Sequence, residues 1–193
     1  GLVGLGRIGS RVAVAAQALG MTVVAHDPAL TSSAIEGVEL VPLDRLFRTA
    51  NVISLHAPSI PATRHLIDAA SIATMRRGVY IVNCARGPLI DQEALLVALD
   101  DGQVAGAGLD VTDPEPPSMD DPLLKLPNVV IAPHIASATV ETRNRMAEIC
   151  ARNLIAGVTG HHIRARRAVG GAHPWHRQEP RRTTPSSVPE SGH

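Results

Sequence analysis

The chain opens on a glycine-rich turn, Gly4-Leu5-Gly6-Arg7-Ile8-Gly9, which constrains the fold more than any other feature. The apolar residues Gly1–Val3 before it predict a strand end, and Arg7–Leu19 predicts a helix. A second apolar run, Met21–Ala25, leads to Asp27, eighteen residues after the last glycine of the turn. This order of strand, glycine turn, helix, strand and acid is typical of a dinucleotide-binding site.

Each glycine of the turn has a separate predicted task. Gly4 permits the tight turn, Gly6 lets the backbone approach a pyrophosphate, and Gly9 lets the helix lie close to the sheet. The free N–H groups and the dipole at the helix N-terminus then attract the anion. The turn alone would be weak evidence, but strand, helix and acid are all in register with it.

Asp27 predicts which nucleotide binds. A carboxylate at the end of the second strand accepts hydrogen bonds from the ribose hydroxyls and repels a 2′-phosphate. Its neighbours, His26 and Pro28, offer no arginine for such a phosphate. The sequence therefore favours NAD over NADP. The alternative is that Asp27 merely opens a turn before Pro28.

Apolar runs of strand length alternate with helical patterns along most of the chain, and many of these runs are apolar on both faces. This predicts an α/β fold with a doubly wound parallel sheet, a Rossmann-like domain over residues 1–157. Aromatic residues make up only 2% of the chain, so the core must be aliphatic. The further predicted strands are Val38–Val41, Asn51–His56, Val79–Cys84, Val104–Leu109 and Val129–Ala132, and the further helices are Leu43–Thr49, Asp68–Met75, Asp91–Leu99 and Thr139–Ile155.

Composition argues against several classes of protein. The formal net charge is zero, which gives no sign of a nucleic-acid or membrane partner. Two cysteines, Cys84 and Cys150, cannot form a disulfide framework, and neither has metal-ligand spacing. We expect no metal site, no membrane span and no signal peptide, and a cytoplasmic location. Cys84 is most simply explained as a small core residue.

Residues 158–193 are predicted to be a tail outside the domain. From His161 onward the chain holds six arginines, five histidines and four prolines, but only two acids, Glu179 and Glu190. A segment so poor in apolar residues cannot offset the entropy of ordering, so we expect it to be disordered. A basic arm for nucleic acid and an eroded terminus are the alternatives.

Three further stretches end predicted strands with polar residues. Arg86 follows Val82-Asn83-Cys84-Ala85, Glu115 follows Asp110 through a proline-rich loop, and His134 follows an apolar run. Because the carboxyl ends of parallel strands face one crevice, we expect these three side chains to converge near the nicotinamide. Taken singly, Arg86 could be a loop cap, Glu115 a solvated turn residue and His134 a strand-end residue.

These residue types suit the reduction of a 2-oxo acid. A guanidinium binds a carboxylate with two hydrogen bonds and stabilises charge that develops on a carbonyl oxygen. A histidine can supply the proton, and a carboxylate partner favours the charged form of an imidazole.

With four motifs in the right order, residues 1–157 resemble the NAD-binding domain of the D-isomer-specific 2-hydroxyacid dehydrogenases. The resemblance implies that Arg86 binds the substrate carboxylate and polarises its 2-oxo group. It implies that His134 is the acid that protonates the carbonyl oxygen, and that Glu115 pairs with His134 and holds its ring.

Other roles are also implied by the resemblance. The backbone N–H groups of Arg7 and Ile8 would meet the pyrophosphate, and Asp110 would bind the nicotinamide carboxamide. The remaining cofactor-cleft residues would be His56, Pro58, Cys84, Ala85 and His134. His56 is equally well explained as a plain strand-end residue, and His65 is assigned no chemical role.

The resemblance also shows where this chain departs from the family pattern. The family's substrate domain comes mostly from residues before the glycine turn, and here it is largely missing. We expect an NAD-dependent oxidoreductase represented mainly by its cofactor domain, acting on a 2-oxo or 2-hydroxy acid. We also expect a homodimer formed through the region after Asp110 and the helix near Thr139. A module that binds NAD(H) without catalysis, or an inactive truncated product, is the alternative.

Overall fold

The computed structural model describes residues 1–160, and the prediction of a disordered tail lies outside these residues. Strands and helices alternate along the chain, as the sequence predicts. The strands are β1 (Leu2–Val3), β2 (Val23–His26), β3 (Val38–Leu40), β4 (Val52–Leu55), β5 (Val79–Asn83), β6 (Val104–Leu109) and β7 (Val129–Ile131). The helices are α1 (Arg7–Ala18), α2 (Leu43–Thr49), α3 (Ala69–Thr74), α4 (Gln92–Asp100) and α5 (Val140–Val158).

The seven strands form one parallel sheet in the order β3-β2-β1-β4-β5-β6-β7. The chain runs outward from β1 to β3, then returns to the other side of β1 and continues outward to β7. Leu2 of β1 accordingly pairs with Ala25 on one side and with Ser54 on the other. The doubly wound parallel sheet is therefore confirmed. The order in which the chain adds strands reverses between β1 and β4, and such sheets bind ligands at this point.

Two aliphatic cores lie on the two faces of this sheet. Consecutive residues of a strand point to opposite faces, and Leu2 and Val3 of β1 belong to different clusters. Leu2 packs with Ala13 of α1, whereas Val3 lies in the larger cluster with residues from α2, α3 and α4, among them Leu46. Helices on both faces explain why most of the strands are apolar on both faces.

Side-chain caps begin three of the helices. The carboxylate of Asp68 caps α3, that of Asp91 accepts the backbone N–H groups of Glu93 and Ala94 in α4, and the hydroxyl of Thr139 caps α5. Helix α1 differs, because its N-cap residue is Gly6 and no side chain caps it. Its first N–H groups therefore face the crevice without a side-chain acceptor.

Helix α5 is the least packed element of the described chain. None of its residues is buried, and aliphatic side chains such as Val140, Leu154 and Val158 are exposed. It is helical because Thr139 caps it and few residues in it oppose a helix, not because an apolar face is covered.

Candidate functional site

The glycine turn after β1 is shaped by close contacts. Gly4 has φ of +99°, and a Cβ there would lie 2.8 Å from the backbone of His56 at the end of β4. A Cβ on Gly9 would lie 2.2 Å from the carbonyl oxygen of Gly4. A Cβ on Gly6 would meet no atom within 4 Å. The fold itself therefore explains Gly4 and Gly9, whereas the space above Gly6 is open to a ligand.

The residues after Gly6 present the start of α1 to solvent. Arg7 and Ile8 are both exposed, and the exposed fraction of Ile8 is 68%. An uncapped helix N-terminus with open space beside it can bind an anion through its backbone N–H groups. These observations fit a dinucleotide pyrophosphate.

Asp27, just after β2, holds the turn with both carboxylate oxygens. Oδ2 accepts the backbone N–H of Leu5 at 2.9 Å, and Oδ1 accepts that of Ala29 at 2.9 Å. The bond from Ala29 forms the local turn that was the alternative explanation for Asp27. The bond from Leu5 ties the carboxylate to the glycine turn, so Asp27 contributes to both turns. Each carboxylate oxygen keeps a lone pair for a further donor.

His56 and Pro58 follow β4 beside the turn. The His56 ring nitrogen Nε2 lies 3.0 Å from Ser54 Oγ. Burial lowers the pKa of His56 below its usual value. Pro58 is exposed, and its carbonyl accepts the hydroxyl of Thr63 at 2.6 Å. His56 therefore both pairs within its own strand and borders the glycine turn.

The histidine and glutamate predicted to pair do so in the structure. His134 Nδ1 lies 2.6 Å from Glu115 Oε1, and both side chains are partly exposed. Glu115 is carried by the loop after β6 and His134 by the loop after β7, so neighbouring strands bring them together across nineteen residues. A carboxylate on Nδ1 orients the ring and leaves Nε2 as the ring nitrogen that could exchange a proton with a ligand.

Asp110, at the end of β6, holds the backbone around His134. It is buried, and its carboxylate accepts the N–H groups of Ile135 at 2.7 Å and Ala136 at 3.0 Å. Its carbonyl accepts the N–H of His134 at 3.0 Å. His134 has φ of +53°, which few residues other than glycine adopt. Asp110 therefore stabilises the unusual backbone that presents the imidazole.

Arg86 lies in the loop after β5, next to β6 in the sheet, and its side chain is exposed. Its Nη1 donates to the carbonyl of Ala85 at 2.6 Å. Asn83, which the sequence analysis assigned no role, is buried and holds this loop: Nδ2 donates to the carbonyl of Arg86, and Oδ1 accepts the N–H of Ala85. An asparagine at the last position of a strand, before a loop, is the signal that could have identified it.

The prediction that Cys84 is a small core residue is wrong, because its side chain is exposed. The strand ends at Asn83, so Cys84 already belongs to the crevice loop. Partial desolvation and the charge of Asp110 raise the pKa of the Cys84 thiol. A raised pKa favours the neutral thiol, which is a weaker nucleophile than the thiolate.

Within residues 1–160, no group of three or more histidines, cysteines, aspartates or glutamates could hold a metal ion. None of the helices in this range is long and apolar enough to cross a membrane.

Comparison with known proteins agrees with this geometry. Residues 1–136 match the family model described as D-isomer specific 2-hydroxyacid dehydrogenase, NAD binding domain. The chain is 49% identical over 158 residues to a glyoxylate reductase of Korarchaeum cryptofilum, covering 81% of this chain and 48% of that protein. It is 48% identical over 148 residues to a hydroxypyruvate reductase of Thermotoga maritima, covering 76% and 48%. The chain thus spans about half the length of these curated relatives.

A solved structure shares the fold. The NAD-complexed D-isomer specific 2-hydroxyacid dehydrogenase of Lactobacillus delbrueckii ssp. bulgaricus is similar with a TM-score of 0.78 and 35% identity, over 84% of this chain and 54% of that one. Sequence and structure comparisons agree on one family, and this chain belongs to the D-isomer specific 2-hydroxyacid dehydrogenases, with their NAD-binding domain in residues 1–136.

Proposed function

We propose that this chain supplies the cofactor-binding and proton-transfer residues for the NADH-dependent reduction of a small 2-oxo acid to a 2-hydroxy acid, and for the reverse reaction. The observation that carries the proposal is the 2.6 Å contact between His134 Nδ1 and Glu115 Oε1 at the carboxyl edge of an NAD-binding sheet. Its similarity to a glyoxylate reductase and a hydroxypyruvate reductase supports small 2-oxo acids as the substrate class.

The cofactor site proposed for NAD combines the glycine turn with Asp27. The backbone N–H groups of Arg7 and Ile8 would bind the pyrophosphate where Gly6 leaves open space. Asp27 would accept the ribose hydroxyls and disfavour a 2′-phosphate, so NAD is preferred over NADP. His56, Pro58, Cys84 and Ala85 would line the remainder of the cleft, together with Asp110 and His134.

The proposed chemistry divides between two residues and their partners. Arg86 would exchange its bond to the Ala85 carbonyl for the substrate carboxylate and stabilise negative charge on the 2-oxo oxygen. NADH when bound would supply the hydride to the carbonyl carbon. As the C=O π electrons move to oxygen, His134 would donate its Nε2 proton to that oxygen. Glu115 would keep the Nδ1 side of the ring occupied throughout.

We also propose a homodimer formed through the region after Asp110 and the helix near Thr139, and a cytoplasmic location. The exposed aliphatic side chains of α5 support an association surface on that helix.

The proposal is tested with a matched pair of histidine variants. His134 and His65 are the two residues other than glycine with positive φ within residues 1–160, at +53° and +49°. Asparagine tolerates that backbone well, so His134→Asn and His65→Asn carry a similar conformational cost. We expect His134→Asn to reduce the turnover of glyoxylate with NADH by about a hundredfold or more, because the developing alkoxide loses its proton donor. We expect His65→Asn to stay near wild type.

NADH titration completes the test. Both variants should bind NADH like the wild-type chain, because neither lies in the glycine turn. Near-normal turnover by His134→Asn would disprove the assignment of the acid. A wild-type chain that binds NADH but reduces no 2-oxo acid would instead favour the NAD(H)-binding module.

A further inference from the structure

We propose that Gln92 is a positioning residue for the His134–Glu115 pair, because it anchors to α4 the loop that carries Glu115. Its importance for turnover rests on the proposed function, but its effect on the geometry of the pair is measurable without any reaction. Gln92 is the first residue of α4.

The anchor is a hydrogen bond between distant parts of the chain. Gln92 Oε1 accepts the backbone N–H of Asp113 at 2.9 Å, across twenty-one residues. Helix α4 is itself fixed, because Asp91 caps it and Leu95 packs in the larger core. An acceptor on a fixed helix therefore holds the loop two residues before Glu115.

The loop that carries Glu115 also packs against the loop that carries Arg86. A Cβ on Gly87 would lie 1.9 Å from the carbonyl oxygen of Thr112, so the two loops are in direct backbone contact. The hydroxyl of Thr112 donates to the carbonyl of Pro114 at 2.8 Å. Arg64 Nη1 lies 3.8 Å from Asp113 Oδ2, but the distance is long and both groups are in part exposed to solvent, so this ion pair adds little.

This placement makes Gln92 a link between the two proposed halves of the chemistry. Arg86 and Glu115 lie in loops that touch each other, and α4 directly follows the first of these loops. The Glu115–His134 contact is 2.6 Å, and a displacement of about 1 Å would leave no hydrogen bond. A loop released from α4 would therefore lose the contact that orients the imidazole.

The test is the tautomer of neutral His134, read from the ¹⁵N shifts of its ring nitrogens in alkaline buffer, with His134→Asn identifying the signals. A proton on Nδ1 is favoured while Glu115 accepts from it. We expect Gln92→Leu to shift His134 toward the Nε2–H tautomer. Gln92→Glu keeps an acceptor oxygen at the same reach and should restore the Nδ1–H form.

The matched control is Gln103→Leu. Gln103 also bonds to backbone, donating to the carbonyls of Ile72 and Met75, but it precedes β6 at the opposite edge of the sheet. This variant should lose stability and leave the His134 tautomer unchanged, which separates positioning from a general structural role. If Gln92→Leu does not fold, Gln92→Asn, one methylene shorter, should give the same tautomer shift.

Turnover gives a second reading. Gln92→Leu should lower kcat for glyoxylate about tenfold with unchanged NADH affinity, and Gln92→Glu should recover it. If the wild-type chain proves inactive, the proposed function fails while a tautomer shift still supports positioning. An unchanged His134 tautomer in folded Gln92→Leu, or a shift equally large in Gln103→Leu, would overturn the inference.

Discussion

Asp27 shapes the glycine turn and is also the residue proposed to select the cofactor. Its oxygens accept the N–H groups of Leu5 and Ala29, so the carboxylate is held at the mouth of the glycine turn. A fixed negative charge there repels a 2′-phosphate more strongly than a mobile one would. The proposed preference for NAD over NADP thus depends on the same bonds that shape the turn.

Replacing this charge should change the cofactor preference. Asp27→Asn keeps an acceptor oxygen for one of the two backbone donors but removes the negative charge. We expect the ratio of NADPH to NADH affinity to rise by about tenfold or more, because like-charge repulsion is lost. Fluorescence titration with both cofactors measures it. Equal affinity of the unmutated chain for NADH and NADPH would contradict the proposed preference.

At the scale of elements, two glycines of the turn before α1 are required for different reasons. Gly9 is needed because a Cβ at this position would lie 2.2 Å from the Gly4 carbonyl oxygen. Gly6, in contrast, faces open space. The first requirement comes from packing between helix and strand. The second, in the proposed cofactor site, comes from the approach of the pyrophosphate.

Two alanine variants should therefore have opposite effects. Gly9→Ala should lower the free energy of unfolding by about 1–3 kcal/mol through overpacking. Gly6→Ala should lower it by no more than about 1 kcal/mol, because alanine is a poorer N-cap residue than glycine, yet weaken NADH binding by about tenfold or more, since a Cβ displaces the pyrophosphate from charge-assisted hydrogen bonds. Thermal unfolding and NADH titration of the two variants check this. A Gly6→Ala variant that binds NADH normally would refute the assignment of the open space to the pyrophosphate.

The elements were predictable because their signals are local. Apolar runs, helical periodicity and the glycine turn each lie within a short segment, so the order of strands and helices followed from the sequence. Boundaries shifted where strand ends are exposed: the predicted strand Met21–Ala25 is observed at Val23–His26, and Met21 is 45% exposed. The pairing of Glu115 with His134 was implied by the family resemblance rather than by any local pattern.

Other features depend on distant contacts that no local pattern carries. The bond from Gln92 to Asp113 joins residues twenty-one apart, and nothing around either residue indicates it. The buried carboxylate of Asp110 binding the backbone after His134 is likewise a product of strand order. The burial of Cys84 was wrongly predicted because the predicted strand, Val79–Cys84, extends one residue beyond the observed strand, Val79–Asn83.

On the scale of the whole molecule, the described chain leaves apolar surface uncovered. Tyr80 on β5 is 52% exposed and Val130 on β7 is 72% exposed, and the aliphatic residues of α5 lie outside both cores. Parallel sheets are usually covered on both faces. Such surface within residues 1–160 is available for association, and the proposed homodimer is one way to cover it.

The dimer is tested by placing a charge on the exposed face of α5. Leu154 is 68% exposed, and Val97 on α4 is similarly exposed at 65%, which makes it a matched control. We expect the wild-type chain to sediment as a dimer at micromolar concentrations. Leu154→Glu should shift it to monomer, because burying an unpaired carboxylate at an apolar interface is costly. Val97→Glu should leave the dimer intact. A wild-type chain that is monomeric at these concentrations, or a dimer equally sensitive to both substitutions, would exclude an interface specific to α5.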